Sequence, residues 1–209
     1  MRVALDYTAA LTQQAGIGRY VRELAQALVS LLVDQGELVL WHGRLTRSCH
    51  GQWPEDTPVR EVELPLPPVW VTRLWQRLRL PLPLEHFTGQ LSVSHGPDFV
   101  IPPSRAPSVV TIHDLGYRHH PEAHPPRDRW MLDWTTRWST RVARRVIAIS
   151  EATRHDLVQY YGVAQDKIDV IPHGVDSRFF AVDDDAIRRV RQSLALPERF
   201  VLAVGTVQP

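Results

Sequence analysis

Short runs of β-branched and aliphatic residues alternate along this chain with longer stretches whose apolar residues recur every three or four positions. Arg2 to Tyr7 alternates and predicts a first strand. The small residues from Thr8 to Gly16 read as a loop. Ile17, Tyr20, Val21, Leu24, Leu28, Leu31 and Leu32 share one helical face, and Gly36 closes that helix. Strands are expected over Glu37 to Trp41 and Val59 to Leu64, the second stopped by Pro65, Pro67 and Pro68. Val69 to Leu80 suits a short helix closed by Pro81 and Pro83. Leu91 to Ser94 reads as a small strand before a His95-Gly96-Pro97 turn, and Val109 to Ile112 as a buried strand. Arg127 to Arg145 predicts a helix that packs Trp130, Trp134, Trp138 and Val142 on the sheet. Strands at Val146 to Ile149 and Ile168 to Ile171 flank a helix capped by Ser150. Asp183 to Leu194 is a polar helix with acidic residues at its start, and Phe200 to Val204 a last strand.

Strands alternating with helices predict an α/β fold, a doubly wound parallel sheet. Ligands in such sheets bind beyond the carboxyl ends of the strands. Four segments there carry candidate chemistry. Gly16-Ile17-Gly18-Arg19-Tyr20 opens the first long helix, where free backbone N–H groups favour an anion. It equally suits a plain turn, because Val21 stands where a dinucleotide fingerprint needs its third glycine. His113-Asp114 follows a β-branched strand, and its plain alternative is a pair of caps. Ser150-Glu151 reads as a ligand contact or a helix cap. Pro172-His173-Gly174-Val175-Asp176 makes a fixed loop with a functional or hinge role.

Composition narrows the class. The chain has 209 residues, 44% hydrophobic and 22% charged, enough for a sizeable core. Its 24 basic and 23 acidic residues leave a formal charge of +1, which argues against nucleic acid as a partner. Lys167 is the only lysine, so an arginine carries little specific information here. Cys49 is alone, which excludes an internal disulfide and a cysteine metal cluster. No apolar run approaches the roughly 18 residues of a membrane span, and no leader pattern opens the chain. A cytoplasmic location is expected. His119, His120 and His124 are a candidate metal cluster, but Pro121, Pro125 and Pro126 prevent a regular helix, so a loop is expected and no metal.

Taken in order, Gly-Ile-Gly-Arg-Tyr, Thr-Ile-His-Asp-Leu, Ala-Ile-Ser-Glu, Ile-Pro-His-Gly-Val-Asp and Phe-Val-Leu-Ala-Val-Gly-Thr resemble the retaining family-4 glycosyltransferases of the GT-B fold. The bacterial mannosyl- and glucosyltransferases look most similar. The resemblance covers nearly the whole chain. It implies a Rossmann-like N-terminal half of a GT-B fold: an acceptor-binding domain over 1–172, an interdomain linker over 173–198, and at 199–209 the first strand of a truncated nucleotide-sugar domain. The missing C-terminal donor domain would hold an Arg-Lys pair and a Glu-x7-Glu motif. Glu55 and Glu63 show that spacing, but in the first domain, and we read the match as chance.

By position, the resemblance places Gly16 and Gly18 against the donor diphosphate or the acceptor, with Arg19 helping to neutralise phosphate and Tyr20 beside it as a substrate contact. His113 would donate to a sugar hydroxyl, and Asp114 would orient it or bind acceptor, making these two the catalytic candidates. Ser150, Glu151, His173 and Gly174 would line the cleft floor near the hinge. The implied reaction is retaining transfer from a nucleotide-sugar, a substrate rather than a cofactor, to a glycan or lipid-linked acceptor of the cell envelope. The truncated chain alone would be inactive. A second reading is a standalone acceptor-binding module that pairs with a separate donor-domain chain. A dinucleotide oxidoreductase is disfavoured by the glycine pattern. Trp70 and Trp75, with Arg73, Arg77 and Arg79 among prolines, suggest peripheral contact with the inner face of a membrane, and equally suit an ordinary amphipathic helix whose tryptophans are buried.

Overall fold

A computed structural model describes residues 1–14, 16–45, 53–54, 56–77, 80–181 and 183–203, the side chains of 76 and 77 excepted. Cys49, Glu55, Arg79 and the segment from Val204 lie outside the described residues. The chain forms two compact units, Met1–Pro172 and His173–Pro209.

In the first unit, among the described residues, seven parallel strands form one sheet. They are β1 (Arg2–Asp6), β2 (Glu37–Gly43), β3 (Val59–Leu64), β4 (Val93–Gly96), β5 (Ser108–Ile112), β6 (Arg145–Ala148) and β7 (Ile168–Val170). Their order is β3-β2-β1-β4-β5-β6-β7, so the winding reverses between β1 and β4. The helices are α1 (Thr8–Thr12), α2 (Gly16–Leu32), α3 (Pro68–Thr72), α4 (Glu85–Thr88), α5 (Gly116–His119), α6 (Pro126–Val142) and α7 (Glu151–Tyr161), with α8 (Asp184–Ser193) in the second unit.

Alternation along the strands sorts the core into faces. Val3, Leu5, Leu38 and Leu40 point one way, onto Val21 and Ala25 of α2. Ala4, Val39 and Trp41 point the other way, onto Val71, Trp75 and Leu84. At the far side of the sheet, Val110, Ile112, Val146 and Ala148 pack with Leu115 and Leu157. Central strands buried on both faces explain the unbroken apolar runs.

Several local expectations change. Thr8 to Thr12 is a helix rather than loop, too short to show a helical period. Asp6 Oδ1 accepts from the Thr8 N–H at 2.9 Å, and Arg22 Nη1 donates to the carbonyls of Ala10 and Gln13. β4 runs through His95 and Gly96, which pair with Val109 and Val110 instead of turning. α3 passes into a π-helical turn, Arg73–Arg77, before the prolines. α6 does not pack its tryptophan stripe on the sheet. Thr135, Thr136, Ser139 and Thr140 are its buried residues, while Trp130 is 58% exposed and stacks on Trp134. Residues 200–203 form no strand, and no described strand pairs with them. No helix among the described residues is long and apolar enough to cross a membrane.

Gly18 lets α2 approach the end of α1. A Cβ there would sit 2.1 Å from the Gln13 carbonyl oxygen and 2.8 Å from that of Ala9. Backbone cannot yield cheaply, so Gly18→Ala is expected to cost about 1–3 kcal/mol. A urea midpoint equal to wild type would show that the two helices separate freely.

Candidate functional site

Because the strands are parallel, the segments leaving β1, β4, β5 and β6 emerge at one edge. The reversal between β1 and β4 opens a crevice there. His113 leaves β5 at that edge and is buried. Its Nε2 lies 2.8 Å from the Pro97 carbonyl oxygen, which can only accept, so Nε2 carries the proton. The Tyr20 ring stands edge-on to the imidazole, 5.3 Å between centroids. The Tyr20 hydroxyl lies 3.1 Å from Thr111 Oγ1, which also meets His95 Nε2 at 2.9 Å. From the other side, Thr153 Oγ1 donates to the His113 carbonyl at 3.1 Å. Ser150 Oγ caps α7 by accepting from the Thr153 N–H. Ser150 thus reaches His113 through one intermediary.

The other sequence candidates divide. Asp114 Oδ1 accepts from the Gly116 N–H at 2.8 Å and starts α5 from an exposed position. Glu151 pairs with Arg154 at 2.7 Å, outside the crevice cluster. Gly16 faces open space, whereas the missing side chain of Gly18 is taken up by the α1 contact. Arg19 lies 3.8 Å from Glu23 on α2. His173 and Gly174 belong to the second unit, where Gly174 meets nothing within 4 Å of a Cβ position. Of the histidine triplet, His119 bonds Asp156 at 2.6 Å and His120 lies 3.3 Å from Glu122. No group of three or more ligating side chains able to hold a metal occurs among the described residues.

The sequence reading missed Asp6, His95 and Asp98. Asp6 ends β1 and Asp98 follows β4, so they flank the reversal. Both line a cavity of about 160 Å³ beside Trp41. Burial pushes Asp6 up to about 6, against the hydrogen bond from Thr8. Burial also raises Asp98, while nearby His113 lowers it and Asp114 raises it. His95 is pushed down to about 4, first by burial and then by His113. The loop holding Asp98 is tight. Phe99 takes φ +56°, and a Cβ on Gly96 would lie 1.9 Å from the Val100 oxygen. A strained non-glycine residue beside a strand end was a usable sign only once φ was known. Asp6, as a carboxylate at a strand end, was visible in the sequence.

Comparison with known proteins fits this geometry. The family described as Glycosyltransferase Family 4 matches residues 15–179. The chain belongs to that family. Over 65 residues it is 38% identical to a D-inositol 3-phosphate glycosyltransferase of Segniliparus rotundus, covering 31% of this chain and 14% of the relative. The Nocardia farcinica enzyme of the same name is 37% identical over 67 residues, covering 32% and 15%. Among solved structures, Anabaena HepE in complex with UDP-glucose superposes with TM-score 0.54 at 17% identity, over 95% of this chain and 50% of that one. Its complex with UDP and glucose gives 0.55 at 17%, over 92% and 50%. The chain therefore spans half the length of these structures and a smaller part of the curated relatives. The fold is the Rossmann-like α/β sheet of GT-B glycosyltransferases.

The raised Asp6 makes a pH prediction. A carboxyl whose folded pKa exceeds its unfolded value of 3.8 stabilises fully below 3.8, and that contribution is lost as pH rises through about 6. Asp6→Asn keeps an oxygen for Thr8 but never ionises. At pH 7.5 the variant should be more stable than wild type by about 1–3 kcal/mol, and the gain should vanish near pH 4. Urea titrations at both pH values decide it, and a pH-independent difference would mean Asp6 titrates normally.

Proposed function

We propose that this chain is the acceptor-side half of a retaining hexosyltransferase. The whole enzyme moves a sugar from a nucleotide-sugar to a glycan or lipid-linked acceptor of the cell envelope, and these residues alone are inactive. Family membership supports transfer, and the observation that carries the reading is the buried His113 cluster at the sheet's carboxyl edge, where the strand order reverses. HepE, spanned to half its length, is a protein seen with UDP-glucose, which favours a nucleotide-sugar donor of that kind. A mannosyl donor belongs to the same proposal.

His113 touches the transferred sugar in this reading. Its Nε2 proton is committed to Pro97, which leaves Nδ1 to meet a sugar hydroxyl. Tyr20 and Thr111 hold the ring and its strand in place. In the transfer, the acceptor oxygen bonds to the anomeric carbon as the bond to diphosphate breaks. The departing diphosphate takes the acceptor proton on the same face. No protein nucleophile is used, and rate comes from positioning and electrostatics. Gly16 and Arg19 are proposed to meet diphosphate or acceptor. Asp114 and Ser150 remain proposed cleft residues.

Cytoplasmic residence with peripheral membrane contact belongs to the same reading. Trp70, 53% exposed with the Arg73 guanidinium 5.2 Å over its ring, would carry that contact. Trp75 would not, being buried edge-to-face with Trp41.

In the full-length protein supplied with UDP-glucose and an envelope extract, His113→Ala should lower kcat about 100- to 1000-fold with little change in donor KM. Product NMR should show the donor's anomeric configuration. Unchanged kcat removes His113 from the reaction, and an inverted product rejects retention.

A further inference from the structure

The cavity beside Asp6 and Asp98 shares part of its wall with another. Pro68 and Thr72 line it and also a second cavity of about 320 Å³ between α3 and α6, so the two adjoin. The second is walled by Val69, Trp130, Met131 and Trp134, and its charged lining residues are Arg73 and Arg127. Its volume lies at the lower end of the roughly 300–1000 Å³ range of ligand pockets. Trp130 and Trp134 stack with centroids 6.0 Å apart and planes 15° from parallel. Val69 and Trp130 are each 58% exposed. This apolar surface contributes little to the sheet core, because α6 turns its threonines and Ser139 inward.

The two adjoining cavities differ in charge. Asp6 and Asp98 line the first, and Arg73 and Arg127 line the second. Carboxylates accept from sugar hydroxyls and repel phosphate, while guanidiniums favour phosphate. We infer that the acceptor is an amphiphile whose single apolar chain lies in the α3–α6 groove, with Arg73 and Arg127 at a phosphate joining chain to sugar. Its sugar then passes Pro68 and Thr72 to reach Asp6 and Asp98. This inference rests on the glycosyltransfer reading and narrows its acceptor to the lipid-linked class.

Alkyl phosphates of six, eight and ten carbons, each below its micelle concentration, test this on the full chain by calorimetry and tryptophan fluorescence. Binding should saturate at one per chain and tighten about fourfold per methylene until the groove is filled. Trp134→Ala and, separately, Met131→Ser should weaken decyl phosphate at least tenfold. Arg73→Gln with Arg127→Gln should weaken octyl phosphate but not 1-octanol. Circular dichroism and urea midpoints identify any variant that misfolds, and the chain-length series needs no variant. Unsaturable binding, affinity independent of chain length, or indifference to the folded variants overturns the inference. So does binding to phosphatidylglycerol–phosphatidylcholine vesicles without saturable alkyl phosphate binding, which makes the groove a membrane-facing surface. Self-association abolished by Trp134→Ala, again without alkyl phosphate binding, makes it a contact between copies. The probes need no sugar donor. Their failure leaves transfer to a soluble acceptor standing, and a failure of sugar transfer leaves the binding result unaffected.

Discussion

The site depends on strand direction. Seven strands run the same way, so every segment that leaves a strand for a helix emerges at one edge of the sheet. Parallel pairing needs long crossovers, and the crossovers cover both faces with helices. Titratable groups gather at the strand ends around the reversal between β1 and β4. Asp6, His95, Asp98 and His113 all occupy that edge. Burial raises Asp6 and Asp98 and lowers His95.

Around His113 the structure uses hydrogen bonds to fix one ring in one orientation. The Pro97 carbonyl accepts from Nε2–H, Thr153 Oγ1 donates to the His113 carbonyl, and the Tyr20 ring stands perpendicular to the imidazole. These contacts come from three separate stretches of chain. Thr111 links Tyr20 to His95, so the start of α2 is tied to β4 and β5 through one hydroxyl. Such a network holds the imidazole in one orientation. The strain at Phe99 and the close approach at Gly96 hold Asp98 near this ring.

α6 shows a different use of surface. Its inward face is threonine and serine, with Thr140 Oγ1 donating to the Thr136 carbonyl at 2.7 Å and Thr136 Oγ1 accepting from the Tyr117 hydroxyl at 2.9 Å. Small residues there leave the bulky tryptophans on the outer side. Helical spacing fixes which residues share a stripe, but it does not say which stripe faces the sheet. Hydrophobicity alone pointed to the wrong one. Trp75 shows the converse, an aromatic that reads as an interface residue beside arginines yet fills the core against Trp41.

The sequence by itself determined the α/β alternation and the parallel sheet, because two-residue and 3.6-residue periods are local properties. It also marked His113 and Ser150, since each directly follows an apolar strand. The order of its motifs was enough to suggest the family that the residue 15–179 match establishes. Only the tertiary structure decided that Gly18 serves helix packing, that Tyr20 rather than Arg19 stands against His113, and that Asp6 and Asp98 share a cavity. Each of these depends on which strands become neighbours. Asp6 and Asp98 are far apart in the chain, and β1 meets β4 only after two intervening strands have been laid on its other side. No local pattern encodes that distance, because the pairing is settled by burying the whole sheet at once.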